Sequence, residues 1–292
     1  MAKSSSTLSN LVDIIPRKRQ FDLQAELSQA WHGNNVFRTA FFNALSMQFP
    51  KGEHAFIESL RAYRDQIDGD QLKAQVRAFI GQEGFHSREH QRYNDALVQR
   101  YGEEAIADIE ARFSHHMDFV ANLPRSRKLA GTCAAEHFTA AMAQILLSNP
   151  AALDGVSDEM KALWHWHAVE EIEHKAVAYD VFQQQIGSER MRLIVYGFVT
   201  YNFSKHTLLN MLDMLKAEGK LWSPGTWIGG ANFLWGRPGV LRRALPHFLA
   251  YLRPGFHPWD IDDRPLIAEW KARYEPELAA ESAAAGAKLA QA

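Results

Sequence analysis

Apolar residues recur every three or four positions along most of the chain, which is the spacing of amphipathic helices. The pattern predicts helices over about 34–49, 50–66, 71–100, 103–122, 125–147, 158–185 and 191–218, separated by Pro, Gly and Asn residues. No stretch shows the strict alternation of apolar and polar residues that is typical of a half-buried strand. We therefore predict an all-α fold.

The chain divides into four parts by its pattern. Residues 1–33 look irregular and include the basic run Arg17–Arg19, which we interpret as a solvated patch. Residues 34–187 contain six of the predicted helices and should form a helical bundle, and 188–275 should extend the same domain. The Ala-rich stretch 276–292 is expected to be a disordered tail.

The extension begins with a strongly apolar helix after Met191, which polar residues between 202 and 206 interrupt before it is long enough to span a membrane. We interpret it as a core helix. Residues 221–260 are rich in Trp, Pro and Gly, with arginines between them. That composition is typical either of an aromatic cover over a cavity or of a segment that contacts a membrane surface.

Composition limits the function without naming it. The 292 residues are 47% hydrophobic and carry a formal net charge of −2, which argues against general nucleic-acid binding. Cys133 is the only cysteine, so the chain has neither a disulfide framework nor a cysteine-based zinc site. The first 20 residues contain no apolar core of the signal-peptide type. We expect a cytoplasmic protein, with membrane association left open.

Two of the predicted helices carry metal-capable side chains in the middle of an apolar stripe. His167, Glu171 and His174 stand at i, i+4 and i+7, so they share one helical face. Glu83 and His86 occupy the same kind of position on the helix over 71–100. Burying such groups costs several kcal/mol unless something pairs with them, and a divalent metal ion is the partner that these residue types favour.

Two further glutamates complete the set. Glu53 and Glu136 each lie on an apolar face, 30 and 35 residues before the glutamate of the Glu-x-x-His pair that follows. Carboxylate-bridged dinuclear bundles take one Glu from each of two helices and a Glu-x-x-His pair from each of the other two. The predicted metal ligands are Glu53, Glu83, His86, Glu136, His167, Glu171 and His174.

Two histidines receive an additional catalytic role in this hypothesis. His167 stands one turn before Glu171, where it would add a third imidazole ligand. His90 lies one turn beyond His86 and is either a ligand or a residue that orients one. Glu89, Glu170 and Glu173 are expected to face outward or to pair with the ligands.

Three functions are compatible with such a site. Mixed His and carboxylate ligation suits two iron ions, with manganese or zinc as alternatives, and iron would make the protein an O2-activating oxygenase or oxidase that needs an electron donor. A hydrolase that uses a metal-bound water is the alternative, and iron binding or ferroxidase activity is a third. The apolar segments favour an apolar small-molecule substrate, and a homodimer is left open.

Three segments also resemble a known bacterial family, the predicted metal-dependent hydrolases. They are Phe41–Glu53, Phe79–His90 and Glu170–Asp180, and the resemblance runs from about residue 15 to 270. The family name implies a metal and a hydrolysis. The ligand pattern is also similar to the ferritin-like di-iron oxygenases, which implies a ferritin-like four-helix bundle.

The His167-x-x-x-Glu171-x-x-His174 arrangement looks like the arylamine N-oxygenases, which add a third histidine to the common ligand set. The remainder of the chain does not resemble those enzymes. Their substrate therefore does not carry over to this protein.

Overall fold

The computed structural model describes residues 12–289, with side chains up to residue 276. Within that part the chain is all helical and contains no strand, so the predicted fold class is confirmed. The helices are α1 (Gln24–Leu27), α2 (Val36–Ser46), α3 (Phe49–Arg61), α4 (Asp70–Tyr101), α5 (Glu103–Ala121), α6 (Arg125–Ser148), α7 (Asp158–His174), α8 (Val177–Gln185), α9 (Glu189–Ala217), α10 (Pro224–Trp235), α11 (Val240–Ala250) and α12 (Arg264–Leu289).

Four of these helices form a bundle. Helix α3 packs against α4 and α6, and α7 packs against the same two helices, so the four close into a ring. Helix α9 lies across the outside of α2, α5 and α6. The bundle is observed in the structure, whereas its assignment as ferritin-like stays a prediction from the sequence.

Local signals explain where the bundle helices begin. Asn35 caps α2, because its side-chain oxygen accepts a hydrogen bond from the Arg38 amide at 3.0 Å. Pro50 stands in the first turn of α3, where its missing amide hydrogen costs nothing. Ser157 caps α7 by accepting a bond from the Met160 amide. The cap lies one residue before Asp158, the residue at which the sequence predicts that this helix begins.

The long helix predicted over 158–185 is divided in the structure. A turn at Lys175 and Ala176 separates α7 from α8, directly after the predicted ligand His174. The ammonium of buried Lys175 donates to Asp263 at 2.6 Å and to the Ile261 carbonyl at 2.8 Å. These partners belong to the distant segment before α12, so the local sequence does not predict that the helix ends here.

The N-terminal segment differs from its prediction. It contains the short helix α1 and buries Phe21, Leu23 and Leu27 against the bundle. Arg17, interpreted from the sequence as part of a solvated patch, is only 9% exposed. Its partners are buried glutamates of α7, which lie far away in the sequence.

The aromatic-rich C-terminal region packs on the outside of the bundle. Helix α10 lies against α2 and α11, and α11 lies against α6. Helix α12 continues to Leu289, through most of the stretch for which the sequence predicts a disordered tail. Alanine is the strongest helix former, which accounts for this difference. Among the described residues, no helix combines the length and the apolar character needed to cross a membrane.

Candidate metal centre

The seven predicted ligands come from the four helices of the bundle and meet at its centre. Glu53 lies on α3, Glu83 and His86 on α4, Glu136 on α6, and the remaining three on α7. All seven side chains are buried, and none is more than 4% exposed. The cluster lies between the two apolar cores: the Phe49 ring is 5.0 Å from the ring of His167, and the Phe79 ring is 4.7 Å from that of His174.

The ligand atoms form two groups that could each hold a metal ion. Glu53, His86 and His167 form the first group, and Glu83, Glu171 and His174 form the second, with one ligand atom of each residue within 4.8 Å of the others. We call them the first and second metal groups. Glu136 belongs with the second, because its Oε2 lies 3.2 Å from His174 Nε2.

Glu171 lies between the two groups. Its Oε1 is 3.0 Å from His167 Nε2 and 3.5 Å from His86 Nδ1, both in the first group. Its Oε2 is 3.6 Å from His174 Nε2 in the second. One carboxylate thus faces both groups with different oxygens, which is the geometry of a bridging ligand.

The chemistry of the buried atoms fits a pair of divalent ions. Buried polar atoms are almost always hydrogen-bonded, and an exception in a folded protein requires a reason. The atoms without a hydrogen-bond partner include both carboxylate oxygens of Glu53, Glu83 and Glu136, as well as Glu171 Oε2, His86 Nδ1 and His174 Nε2. Four carboxylates also match the charge of two divalent ions.

A crossed pair of hydrogen bonds orients the two histidines of the Glu-x-x-His pairs. Gln82 Oε1 lies 2.9 Å from His174 Nδ1, and because an amide oxygen only accepts, His174 must donate there. Glu170 Oε2 similarly accepts from His86 Nε2 at 3.0 Å. Each histidine therefore directs its other nitrogen, His174 Nε2 or His86 Nδ1, toward the carboxylates.

A third chain of hydrogen bonds fixes His167. The Ser46 hydroxyl donates to Asn94 Oδ1 at 2.7 Å, so its oxygen accepts from His90 Nδ1 at 2.9 Å. His90 Nε2 is then an acceptor for His167 Nδ1, at 2.7 Å. This leaves the lone pair of His167 Nε2 facing Glu53 and Glu171. His90 belongs to neither metal group and contacts His167, so its role in orienting a ligand stays a prediction.

Arg17 binds the two glutamates of α7 that lie behind the predicted ligands. Its guanidinium donates to Glu173 at 2.8 and 2.9 Å and to Glu170 at 3.2 Å, and its backbone amide also donates to Glu170. Gln82 Nε2 donates to Glu173 at 2.9 Å. Glu170 and Glu173 are thus fully buried and paired, rather than outward-facing.

Glu89 belongs to a different environment. It is buried on α4 but pairs with Arg92 and the Phe21 amide. No hydrogen bond or ion pair links it to the seven predicted ligands.

The ionisation of the metal-free site follows from burial and crowding. Burial raises the pKa of Glu53 and Glu83, and raises that of Glu136 to about 8. Burial opposes the charge on His86, but its hydrogen bond to Glu170 and the adjacent carboxylate of Glu171 raise the pKa to about 10. Metal-free protein therefore keeps protons on Glu136 and His86 at neutral pH, and metal binding would displace them.

Glu171 and His167 shift the other way. Burial disfavours the anion of Glu171, but His174 and the hydrogen bonds of the surrounding imidazoles hold its pKa well below the usual range. Burial and the nearby His86 lower the pKa of His167 to about 4, and burial lowers that of His90 well below its usual value. Thus an anionic bridge and a neutral third imidazole are already present without metal.

A cavity of about 1120 Å³ reaches the centre from the outside of the bundle. Glu53 and Glu171 line it, together with residues of α3, α4, α5, α6 and α9. Its apolar wall includes Phe49, Phe56, Phe113, Val195, Val199 and Phe203. No residue of the Trp-rich segment 221–260 lines this cavity, so the prediction of an aromatic cover over it was wrong; the segment packs against α2 and α6 instead.

Sequence reasoning missed the residues that hold the ligands in place. Gln82 and Glu170 each directly precede the glutamate of a Glu-x-x-His pair, and each binds the histidine of the other pair. That shared position could have been used to predict both residues from the sequence. The roles of Arg17 and Ser46 could not be predicted in this way, because only the tertiary fold brings them close to their partners.

The fold and the centre together define an all-helical protein with a buried candidate dinuclear metal site. The chain belongs to the family described as predicted metal-dependent hydrolase, whose family model matches residues 15–262. Comparisons with curated proteins and with solved structures give no significant match.

Proposed function

We propose that this protein is a metal-dependent hydrolase that binds two divalent ions and cleaves an apolar small molecule. Three observations support the proposal: the family to which the chain belongs, the two adjacent groups of metal-capable residues, and a large cavity that ends on two of those residues. The cavity carries the most weight, because it gives a substrate access to a centre that is otherwise buried.

In this proposal Glu53, His86 and His167 would hold one ion, and Glu83, Glu136 and His174 would hold the other. Glu171 faces both groups and would be available to both ions. Bound divalent ions would polarise the scissile carbonyl and lower the pKa of a water molecule into the neutral range. Glu53 of the first group and Glu171, which faces both groups, line the cavity, so we expect a substrate to meet the centre at these two carboxylates.

Proton transfer falls to Glu53. His90, Glu170 and Glu173 are other titratable side chains near the centre, but none of them lines the cavity, and each is hydrogen-bonded behind the predicted ligands. Glu53 lines the cavity and has two oxygens without a hydrogen-bond partner, so one oxygen could hold an ion while the other accepts a proton. A carboxylate with these properties can accept a proton from water and return it to a leaving group.

The cavity favours a largely apolar substrate with one cleavable bond. Its volume of about 1120 Å³ exceeds that of typical drug-sized pockets, and phenylalanine and valine side chains form much of its inner wall. Exposed basic residues, Lys51, Arg88, Arg92 and Arg127, lie among the residues that line it. An aryl or acyl ester or amide with an anionic end would match both features.

An O2-activating oxidase or oxygenase is the second candidate, and the third histidine favours it. The neutral His167 is held in place by His90 and Ser46 and adds an imidazole to an oxygen and nitrogen ligand set that suits iron. Iron would supply the electrons for O2 reduction, and an external donor would have to restore them. Tyr93, Trp164 and Trp166 surround the histidines with buried aromatic rings.

Metal exchange separates the two candidates. The protein would be loaded with zinc, manganese or ferrous iron and tested on a panel of apolar esters and amides, under argon and in air. We expect the zinc or manganese form to hydrolyse a member of the panel equally fast with and without oxygen, because zinc has no second accessible oxidation state.

The variant Glu53→Gln should keep the protein folded and lose turnover, whereas Glu104→Gln, which changes an exposed glutamate of α5 that does not line the cavity, should retain it. Turnover that requires both iron and oxygen would contradict the hydrolase and support the oxidase or oxygenase.

A further inference from the structure

Helix α9 exposes an apolar stripe on the side that faces away from the bundle. Ile194, Phe198, Tyr201 and Leu208 follow each other at intervals of four, three and seven positions, so they share one helical face. Tyr201 is 65% exposed. The opposite side of α9 buries Tyr196, Asn210 and Met211 against the protein. An exposed apolar row of this length is unusual for a surface that contacts only water.

Helix α11 adds a second exposed row. Leu245 and Leu249 stand at i and i+4 on this helix, and the exposed Leu252 follows in the turn after it, while Val240 and Ala244 are buried. Both α9 and α11 pack on α6, and the Tyr196 hydroxyl of α9 donates to the Phe248 carbonyl of α11 at 2.8 Å. Because the two neighbouring helices bury their inner sides on the same helix, their exposed rows point away from it together.

Tryptophan and isoleucine side chains extend this surface toward α10. Trp222 is 90% exposed, Ile228 is 71% exposed, and Trp235 is also exposed. We call the exposed rows of α9 and α11, together with these three residues, the apolar face.

The charge around the apolar face is one-sided. Residues 219–256 contain five lysines or arginines and no aspartate or glutamate, although the whole chain has a net charge of −2. Lys205 stands within the stripe of α9, with its ammonium 5.7 Å from the Tyr201 ring. Aromatic and aliphatic side chains among basic residues, without acidic ones, are the composition of helices that lie in an anionic membrane interface.

We propose that the apolar face binds the surface of a lipid bilayer that contains anionic lipids. The tryptophans and leucines would enter the boundary between headgroups and acyl chains, and the basic residues would meet the lipid phosphates. No described helix can span a bilayer, so α9 and α11 would lie along its surface. This proposal does not rest on the reaction that the centre performs.

Charge favours a bilayer over a second copy of the chain. A symmetric dimer through this face would place two basic surfaces against each other, whereas an anionic bilayer complements them. Phe198 supplies a further argument, because it belongs to the exposed stripe and also lines the cavity. An apolar molecule could therefore pass from a bilayer into the cavity along side chains of the same helix.

Vesicle flotation tests the proposal on the full-length protein. Neutral vesicles of phosphatidylcholine would be compared with vesicles that also contain phosphatidylglycerol, at low and high salt. We expect flotation with the anionic vesicles that weakens as salt rises. Ile194→Ser combined with Leu249→Ser should reduce the floated fraction by about tenfold or more, since each substitution removes a buried aliphatic side chain from the lipid.

Matched controls separate this surface from general effects. Ile15→Ser combined with Val98→Ser changes two exposed apolar residues elsewhere and should float like the unmodified protein. Lys205→Glu with Lys220→Glu should abolish flotation, whereas Arg61→Glu with Arg64→Glu, which changes the net charge equally, should not.

Two results would overturn the proposal. One is the absence of flotation with anionic vesicles by the unmodified protein. The other is a dimer, seen by analytical ultracentrifugation, that the apolar-face substitutions dissociate in a protein that binds no vesicles. In that case the face would be a contact between copies of the chain.

Discussion

The two metal groups are built from the same motif but are held differently. In the second, the Gln82 amide accepts from His174; in the first, the Glu170 carboxylate accepts from His86 and is itself paired with Arg17. A carboxylate behind an imidazole makes the imidazole a stronger donor to a metal than a neutral amide does. The first group also has His167 and borders the cavity through Glu53. In the proposed function this asymmetry would suit the first group to chemistry and the second to holding an ion.

Glu171→Ala should have the largest effect, because this residue faces both groups. We expect the metal content to fall from about two ions per chain to none, measured by elemental analysis of protein whose helicity is checked by circular dichroism. Glu89→Ala is the matched control, since Glu89 is buried on α4 but pairs with Arg92 and not with the ligands. Equal losses in the two variants would mean that the metal is bound elsewhere.

His167→Ala should separate the groups. It removes one ligand from the first and none from the second, so we expect one ion per chain to be retained and the other to become weakly bound. Competitive titration with a chelator would resolve two affinities in the variant. Loss of both ions to the same extent would contradict the assignment of His167 to the first group alone.

Exchanging the residues behind the histidines would sharpen the comparison further. Glu170→Gln places a neutral amide next to His86. It should lower the affinity of the first group for its ion by about 10- to 100-fold, the range found for partners of metal-bound histidines. Gln82→Glu should leave the affinity of the first group for its ion unchanged and should change only the affinity of the second group. The same chelator titration measures both effects. A uniform change in both affinities would indicate a general loss of packing around Arg17.

Both metal groups should contribute to the pH dependence of folding stability in the metal-free protein, so this measurement does not distinguish them. In metal-free protein the pKa of Glu136 is raised to about 8 and that of His86 to about 10, above their values of 4.5 and 6.5 in an unfolded chain. Above about pH 7.5 the folded state thus keeps protons that the unfolded state has lost, up to about pH 8 for Glu136 and about pH 10 for His86. Each such proton lowers the free energy of unfolding by about 1.4 kcal/mol per pH unit.

Urea unfolding of metal-free protein should therefore show falling stability as pH rises through this window. Histidines whose pKa is lowered to about 4, such as His32 and His137, are neutral in the folded state and about nine-tenths neutral in the unfolded chain one pH unit above 6.5, so they contribute little above about pH 7.5. Bound metal requires the deprotonated ligands, so the loaded protein should not lose stability over the same range. Stability of the metal-free form that rises above about pH 7.5 would contradict this account of the site.

The sequence predicted the features that depend on local spacing. The helices and the seven candidate ligands follow from the three- and four-residue period, because one helix face is buried and metal-capable residues on it are conspicuous. The position before each paired glutamate, Gln82 and Glu170, carried a signal of the same kind that was not used.

Features that depend on contacts between distant segments could not be predicted. The sequence predicts that Arg17 is solvated, but in the fold its guanidinium donates to Glu173, which lies 156 positions away. The end of α7 after His174 depends on Asp263, which pairs with Lys175. The cavity exists because α5 and α9 lie beside α3, and helix packing of that kind leaves no local pattern in any one of them.

The central claim is that two metal ions lie between the four helices and share Glu171. Crystals of protein loaded with iron, manganese or zinc would test it directly by anomalous diffraction at the metal edge. The account predicts two peaks, one adjacent to Glu53, His86 and His167, and the other adjacent to Glu83, Glu136 and His174. A single peak at the protein surface, or none at the bundle centre in protein that analysis shows to contain metal, would contradict it.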